Sequence, residues 1–409
     1  MSRILMAWEY GRNLGHLVRL LPLATRLTAR GHDVLAVVKE LSSAATMLGP
    51  AGIAFVPSPL YMENSPHDTV TVSYADLLLR QGWNDPSVLR GLVHGWIHLL
   101  RIFKPDVAVL DYAPTARLAA RILGIRCVWI GNGFSLPPIA VPLPPLPGFP
   151  LTTPKLAERA ERAALEQINI VMDELRASRL EALKELFESD QRLLLTFPEL
   201  DHYGRRAGAC YMGPIMEPGR GEPVDWPEGV ARRRVVAYLR PDMQDFSLVL
   251  EGLAAADATV ICHAPGASKE MIQRFRKSRI LFSQQPVQFK RLFANADACV
   301  SYAPVGTVTA ALLGGVPQVL SPVHVESGLT ANCAERLGAA LVLRGPQTAF
   351  SVAAAIHQVA DGGRFKAHAR EFAERYRDYD AAAVADEVVA RIESASVVGP
   401  LPPPARSAS

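Results

Sequence analysis

The sequence predicts an α/β protein made of two parallel-sheet units. Three observations lead there. The chain has 409 residues, more than one hydrophobic core usually organises, so two domains are expected. Short apolar runs alternate with helix-period segments through both halves, the pattern of parallel strands joined by crossover helices. Within residues 294–343, an apolar run at 298–301 enters a Pro/Gly turn, Gly306 and Thr307 open a helix, Gly314 and Gly315 end it, and residues 316–320 form the next buried strand. A β-turn-α-β unit of this kind places backbone N–H groups where a phosphate can bind.

The elements follow in order. Residues 4–8 form a short apolar strand, 9–15 a polar glycine-bearing turn, and 16–30 a helix with Leu17, Leu20, Leu21, Leu23, Ala24 and Leu27 on its apolar side. Gly31 caps that helix and 33–38 is the next strand. The alternation continues through a strand at 53–57, a helix around 87–103, a strand at 107–110, a helix at 115–123 and a strand at 127–130. Residues 135–154 hold eight prolines, which remove donors and fix φ, so an extended surface loop is expected. A long helical pattern then runs from Lys155 to about residue 189. After Tyr211 and a Gly/Pro-rich linker at 219–229, strands are expected at 235–239, 258–262 and 280–282, and a last helix at 381–394. The helix around 88–103, with Leu92, Trp96, Leu99 and Leu100, reads as core, with lipid contact as the alternative. The Pro/Ser/Ala-rich end, residues 395–409, reads as disordered.

Composition excludes several classes. The chain is 49% apolar and 20% charged with a net charge of +3, which gives no electrostatic case for nucleic acid. The 35 Arg and 8 Lys are spread along the chain. Five isolated cysteines, Cys127, Cys210, Cys262, Cys299 and Cys333, mostly in apolar runs, read as buried thiols of a reducing compartment. No Cys-x-x-Cys or His/Cys cluster points to a metal, and no cofactor is implied. The first residues enter a strand without a leader-like segment, and no run of about 18 apolar residues occurs. The expectation is a cytoplasmic protein without a transmembrane segment; its oligomeric state is open.

Two stretches resemble the GT-B glycosyltransferases of the macrolide/UDP-glucuronosyl type. Residues 302–317 follow the frame His-Gly-Gly-x-Gly-Thr-x-x-Glu-Ala-Leu-x-x-Gly-Val-Pro, and 322–331 the frame Pro-x-x-x-Asp-Gln-x-x-Asn-Ala. Gly306, Thr307, Gly315, Pro317, Pro322 and Ala331 match. The pyrophosphate-binding His falls on Tyr302, the two glycines on Ala303 and Pro304, the ribose-binding Glu on Ala310, the sugar-binding Asp-Gln on Glu326 and Ser327, and the Asn on Thr330. At the other end, Gly15-His16 with Pro22 and Leu23-Ala24 is similar to the family's Gly-His-x-x-Pro…Leu-Ala signature, although the proline is not three residues after His16. The resemblance implies two Rossmann-like domains facing across a cleft. Residues 1–211 would bind the acceptor, with the Pro-rich loop and helical insert at 135–190 covering it, and 213–394 would bind the donor. The last helix would pack back on the first domain.

The implied activity is an inverting, metal-independent transfer of a sugar from a nucleotide diphosphate donor to a small, apolar acceptor. His16 would be the general base and Asp111, at the end of a buried strand, the group that orients it. From the residues alone, His16 also reads as a helix-start residue filling a polar turn, and Asp111 as a helix cap. Glu9, Tyr10, Arg12 and Asn13 crowd the first turn, as acceptor contacts or solvated loop residues. On the donor side, Arg240 offers a bidentate phosphate contact. Gln285 and Gln288 lie where the base-recognition loop is expected, and Tyr302, Gly306, Thr307, His324, Glu326 and Ser327 would line the diphosphate and sugar region; Arg240, Gln285, Gln288 and, more readily, His324 also read as surface polar residues. The altered donor residues keep two alternatives open: a non-catalytic GT-B homologue that binds a partner or small ligand, and a nucleotide-sugar epimerase or hydrolase.

Overall fold

The computed structural model describes residues 1–11, 14–61, 71–148, 153–216, 221–229 and 232–397. They form two compact units, Met1–Ile215 with Asp380–Ser409, and Met216–Tyr379. Arg12, Asn13, part of the 219–229 linker and residues 398–409 lie outside the described residues.

The first unit contains β1 (Arg3–Trp8), α1 (Gly15–Ala29), β2 (Asp33–Val38), α2 (Leu41–Met47), β3 (Ala54–Pro57), α3 (Tyr74–Leu78), α4 (Pro86–Phe103), β4 (Val107–Asp111), α5 (Pro114–Leu123), β5 (Arg126–Gly131), α6 (Pro154–Glu174), β6 (Gln191–Leu194) and β7 (Cys210–Tyr211). Its seven strands are ordered β3-β2-β1-β4-β5-β6-β7, and neighbouring strands pair in parallel. Central strands β1 and β4 are apolar on both faces because helices cover both. Ile4, Met6 and Trp8 pack with Leu17, Leu20, Leu23 and Leu27 of α1. Asp85 caps α4 by accepting from the Ser87 and Val88 N–H groups, and Trp96 of that helix is fully buried. That helix is therefore core, and the lipid alternative does not hold for it.

Two expectations for the insert need correction. The Pro-rich stretch is anchored, since Leu136, Leu143 and Leu146 are buried and the Leu143 N–H donates to the buried Glu161 carboxylate of α6 at 2.6 Å. The helical pattern expected to reach residue 189 stops at Glu174. Arg176 turns the chain at φ 52, and the Asn169 side-chain amide holds the Leu180 N–H and carbonyl. This lets Leu180, Leu183, Leu186 and Phe187 all reach the interior, which a straight helix would prevent.

The second unit contains β8 (Arg233–Tyr238), α7 (Phe246–Ala255), β9 (Ala258–His263), α8 (Lys269–Arg274), β10 (Ile280–Ser283), α9 (Phe289–Phe293), β11 (Ala298–Ser301), α10 (Val305–Leu313), β12 (Gln318–Leu320), α11 (Val325–Arg336), β13 (Ala340–Val342), α12 (Ala349–Asp361) and α13 (Gly363–Arg375). The six strands are ordered β10-β9-β8-β11-β12-β13, the order of a dinucleotide-binding sheet. Gly315, at φ +66, lets the chain leave α10 and enter β12.

The last helix, α14 (Ala381–Val397), belongs to the first unit. Val388, Val389 and Ile392 join the core formed by β1 and α1, and Arg30 pairs with Asp386 and Glu393. The second unit thus closes at Tyr379 rather than at 394, and residues 395–397 are helical rather than part of a disordered end.

Candidate active site

Each sheet has one point where its strand order reverses, and the candidate residues gather at those two points. In the first unit it lies between β1 and β4, where Trp8 and Asp111 are register partners. Strands leave this point in opposite directions, so the loops at their carboxyl ends open a crevice. Asp111 is fully buried. His16, the second residue of α1, brings its Nδ1 to 3.1 Å from Asp111 Oδ1. The Trp8 ring stacks on the imidazole at 5.1 Å, and the Tyr112 ring lies 6.2 Å away, inclined by 27°. Gly11, at φ +91, passes so close that a Cβ there would stand 2.6 Å from His16 Nε2. Only glycine fits both demands.

A second cation meets the same carboxylate. Arg19 Nη1 donates to Asp111 Oδ1 at 2.6 Å. Burial pushes the Asp111 carboxyl up, but the Arg19 charge and His16 outweigh it and hold the group below its ordinary range. Asp111 is not a helix cap: α5 starts from Ala113, which makes no side-chain cap. The buried Glu9 fills that role, with Oε2 accepting from the Thr115 and Ala116 N–H groups at 3.0 and 3.4 Å. Its carboxyl is raised to about 7 chiefly by burial, against the hydrogen bonds from Thr115, Ala116 and Tyr10. Tyr10 is internal as well, its hydroxyl 2.7 Å from Trp83 Nε1 and 3.3 Å from Thr115 Oγ1. Glu9 and Tyr10 follow β1 and are buried rather than solvated.

In the second unit the order reverses between β8 and β11, where Tyr238 and Ser301 pair. Aromatic rings fill this point. Tyr238 stacks on His263 at 5.0 Å and meets Tyr302 edge-on at 5.2 Å. Tyr302 is buried, and burial drives its hydroxyl far above the ordinary range. The Arg240 guanidinium lies 5.8 Å from the Tyr302 ring centroid and is held by both oxygens of Asp242 at 2.9 and 2.5 Å. Ala303 takes φ 60, a conformation that costs a side-chain-bearing residue energy. Helix α10 then starts from Pro304 with no side-chain cap. Gly306 is exposed, with open space around it, so the first N–H groups of α10 are available to an anion. Thr307 is buried.

His324 and Ser327 are brought together, but as a helix cap. His324 Nδ1 accepts from the Ser327 N–H at 3.1 Å, and Ser327 Oγ accepts from the His324 N–H at 3.0 Å. Glu326 stands half-buried in the first turn of α11, and the Thr330 hydroxyl donates to its carbonyl. Gln288 donates to the Gly221 carbonyl at 3.1 Å, tying down the linker, while Gln285 is exposed. Among the described residues no group of His, Cys, Asp and Glu is arranged to hold a metal.

Residues 247–395 match the family of the erythromycin biosynthesis protein CIII-like C-terminal domain. The chain is 26% identical over 397 residues to a PGL/p-HBAD biosynthesis glycosyltransferase of Mycobacterium tuberculosis (strain ATCC 25177 / H37Ra), covering 92% of this chain and 89% of that one. It is also 26% identical over 309 residues to a PGL/p-HBAD biosynthesis rhamnosyltransferase of Mycobacterium bovis (strain BCG / Pasteur 1173P2), covering 70% and 67%. The chain is a GT-B glycosyltransferase. Its fold is that of the glycosyltransferase VinC, solved in complex with DTDP, at a TM-score of 0.69 and 18% identity over 97% of this chain and 100% of that one. CalG4, the calicheamicin glycosyltransferase, superposes at a TM-score of 0.71 with 17% identity over 97% and 98%.

Sequence reasoning about this glycosyltransferase missed three residues. Arg19 stands three residues after His16, where the resembled pattern has proline, and that departure was the available signal. Tyr238 and His263 end β8 and β9, positions that strand-end reasoning reaches once the order of the sheet is known.

Proposed function

We propose that this glycosyltransferase moves a sugar from a nucleoside diphosphate to a hydroxyl of a small apolar acceptor, in one inverting displacement without a metal. The observation that carries this reading is the imidazole of His16 beside the buried carboxylate of Asp111. A proton on Nδ1, 3.1 Å from Asp111 Oδ1, leaves Nε2 with a free lone pair, which takes the acceptor's hydroxyl proton. The oxygen attacks the anomeric carbon as the bond to the diphosphate breaks, and the electron pair leaves on the diphosphate. Backbone N–H groups at the start of α10 meet that charge, with Arg240 beside them. No enzyme nucleophile takes part, so one displacement inverts the configuration. Trp8, Tyr112 and Phe134, the last 5.7 Å from Tyr112, give the acceptor side an apolar wall.

The substrate class rests on relatives. The names of two relatives place them in PGL/p-HBAD biosynthesis, and a spinosyn rhamnosyltransferase has been solved with thymidine diphosphate. Thymidine diphosphate sugars are therefore the first donors to supply. The five cysteines are all free thiols, which supports a reducing compartment, and among the described residues no helix is long and apolar enough to cross a membrane. The test measures nucleoside diphosphate release with and without phenolic and macrolide acceptors, in the presence of chelator, and reads the anomeric configuration of the product by NMR. Acceptor-dependent release, inversion and indifference to chelator are expected. Release without acceptor points to hydrolysis, and an absence of any nucleoside diphosphate binding at millimolar concentration in calorimetry overturns the reading.

A further inference from the structure

His16 and Arg19 are three residues apart on α1, so both side chains leave the same face of the helix. They converge on one oxygen: Asp111 Oδ1 is 3.1 Å from His16 Nδ1 and 2.6 Å from Arg19 Nη1. Asp111 itself is fully buried, and both partners keep only 14% of their side-chain surface. The other titratable groups around the pair are turned elsewhere. Glu9, after β1, faces the N–H groups of α5, and Tyr10 faces Trp83 and Thr115. Tyr112, after β4, presents its ring to the imidazole. Among the described residues, Arg19 is thus the fixed cation on this carboxylate.

We propose that Arg19 is a positioning residue for the transfer reaction: its permanent charge keeps Asp111 anionic and so fixes the His16 tautomer whose Nε2 can accept a proton. The reasoning concerns one shared proton. A buried carboxylate facing only a neutral imidazole tends to take a proton, because burial disfavours the charged form. A protonated Asp111 would donate to Nδ1, placing the ring hydrogen on Nε2, and the imidazole would then have no lone pair to offer an acceptor. A guanidinium 2.6 Å from the carboxylate removes that option, since it stays charged at any working pH. It also opposes the imidazolium by like-charge repulsion. Both effects make the pair give up its shared proton at lower pH. The proposal rests on His16 acting as base, and it assigns a role to the residue that replaces the family's proline.

The experiment compares wild type with Arg19→Gln, Arg19→Met and Arg19→Lys, each checked for folding by thermal melt. In Arg19→Gln the acid limb of the kcat/KM profile should move up by about one pH unit. Rates on the alkaline plateau should approach wild type, acceptor KM should change little, and Arg19→Lys should restore the limb. Arg19→Met, which keeps the apolar stem, serves if the Gln variant does not fold. A plateau that falls while the limb stays in place means that Arg19 is only structural, and the proposal is wrong. The same comparison is made by NMR on the His16 ring resonances, assigned with His16→Ala, which needs no turnover. If wild type transfers no sugar but the ring titrates at higher pH in Arg19→Gln than in wild type, the transferase mechanism fails while the charge coupling stands. Identical ring titrations in an active enzyme overturn this proposal alone.

Discussion

The two order-reversal points of the molecule solve opposite problems. At the first, between β1 and β4, charge lies inside the protein: Asp111 and Glu9 are buried, and Arg19, His16 and the α5 N–H groups partner them. At the second, between β8 and β11, the interior is aromatic. Charge stays near the surface, as the Arg240–Asp242 pair and the uncapped start of α10. A general base must hold one tautomer before substrate arrives, so its partners are fixed within the fold. A diphosphate brings its own charge and needs only donors left free to receive it. Substitutions at the first point should therefore disturb stability and proton chemistry, and those at the second chiefly donor affinity.

The sharpest way to break this contrast is to remove one carboxylate from each. Asp111→Ala strands the Arg19 guanidinium in a mostly buried place and should cost about 3–5 kcal/mol in denaturant melts. Asp242→Ala, whose side chain is exposed, should cost less than about 1 kcal/mol. Similar losses at both would show that burial does not separate the two sites.

Glu9 gives the next largest effect. Its carboxyl is raised to about 7 from 4.5, so between those values the folded chain keeps a proton that the unfolded chain has lost. Stability then falls as pH rises through that window. Glu9→Gln abolishes this slope, and across the window it should gain on wild type by up to about 3 kcal/mol in urea melts. Parallel curves for the two proteins would place an ionised Glu9 in the fold throughout.

His16→Ala should lower turnover about 10²-fold with donor affinity unchanged, the usual size for a positioned general base. Wild-type turnover at saturating acceptor would reduce His16 to a turn residue. The smallest effects belong to the second point. Arg240→Ala or Tyr302→Phe should raise donor KM by about tenfold or less while melts stay near wild type, since one charge-assisted contact is lost. A drop in kcat at unchanged KM would move these residues from binding to chemistry.

Much of the fold was legible because parallel sheets covered on both faces leave runs such as residues 107–110 almost wholly apolar. The end of α6 was not, because Leu180, Leu183 and Leu186 sit at spacings a helix could also use. Only their common burial shows that the chain turns. The short strands β6 and β7 carried too little pattern of their own to be placed, whereas α12 and α13 do carry a helical apolar period and were passed over. In the candidate site, His16 and Asp111 stood out by position, one at a Gly-His helix start and the other at a strand end. His324 and Ser327 form a capping box, which the sequence does not separate from a polar binding loop, because both use the same residue types at the same spacing.

By itself, the sequence determined the α/β class, the two units, the helix opening around Gly306 and the residues that are candidates for base and orienter. These are local matters of periodicity, strand ends and turn residues, and neighbouring positions encode them. Tertiary structure alone decided that Arg19 and Asp111, 92 residues apart, share an oxygen with His16, and that Glu9 caps a helix it does not belong to. Charge coupling depends on distance through space and on the exclusion of water, and neither can be read along the chain until the sheet has brought β1 beside β4.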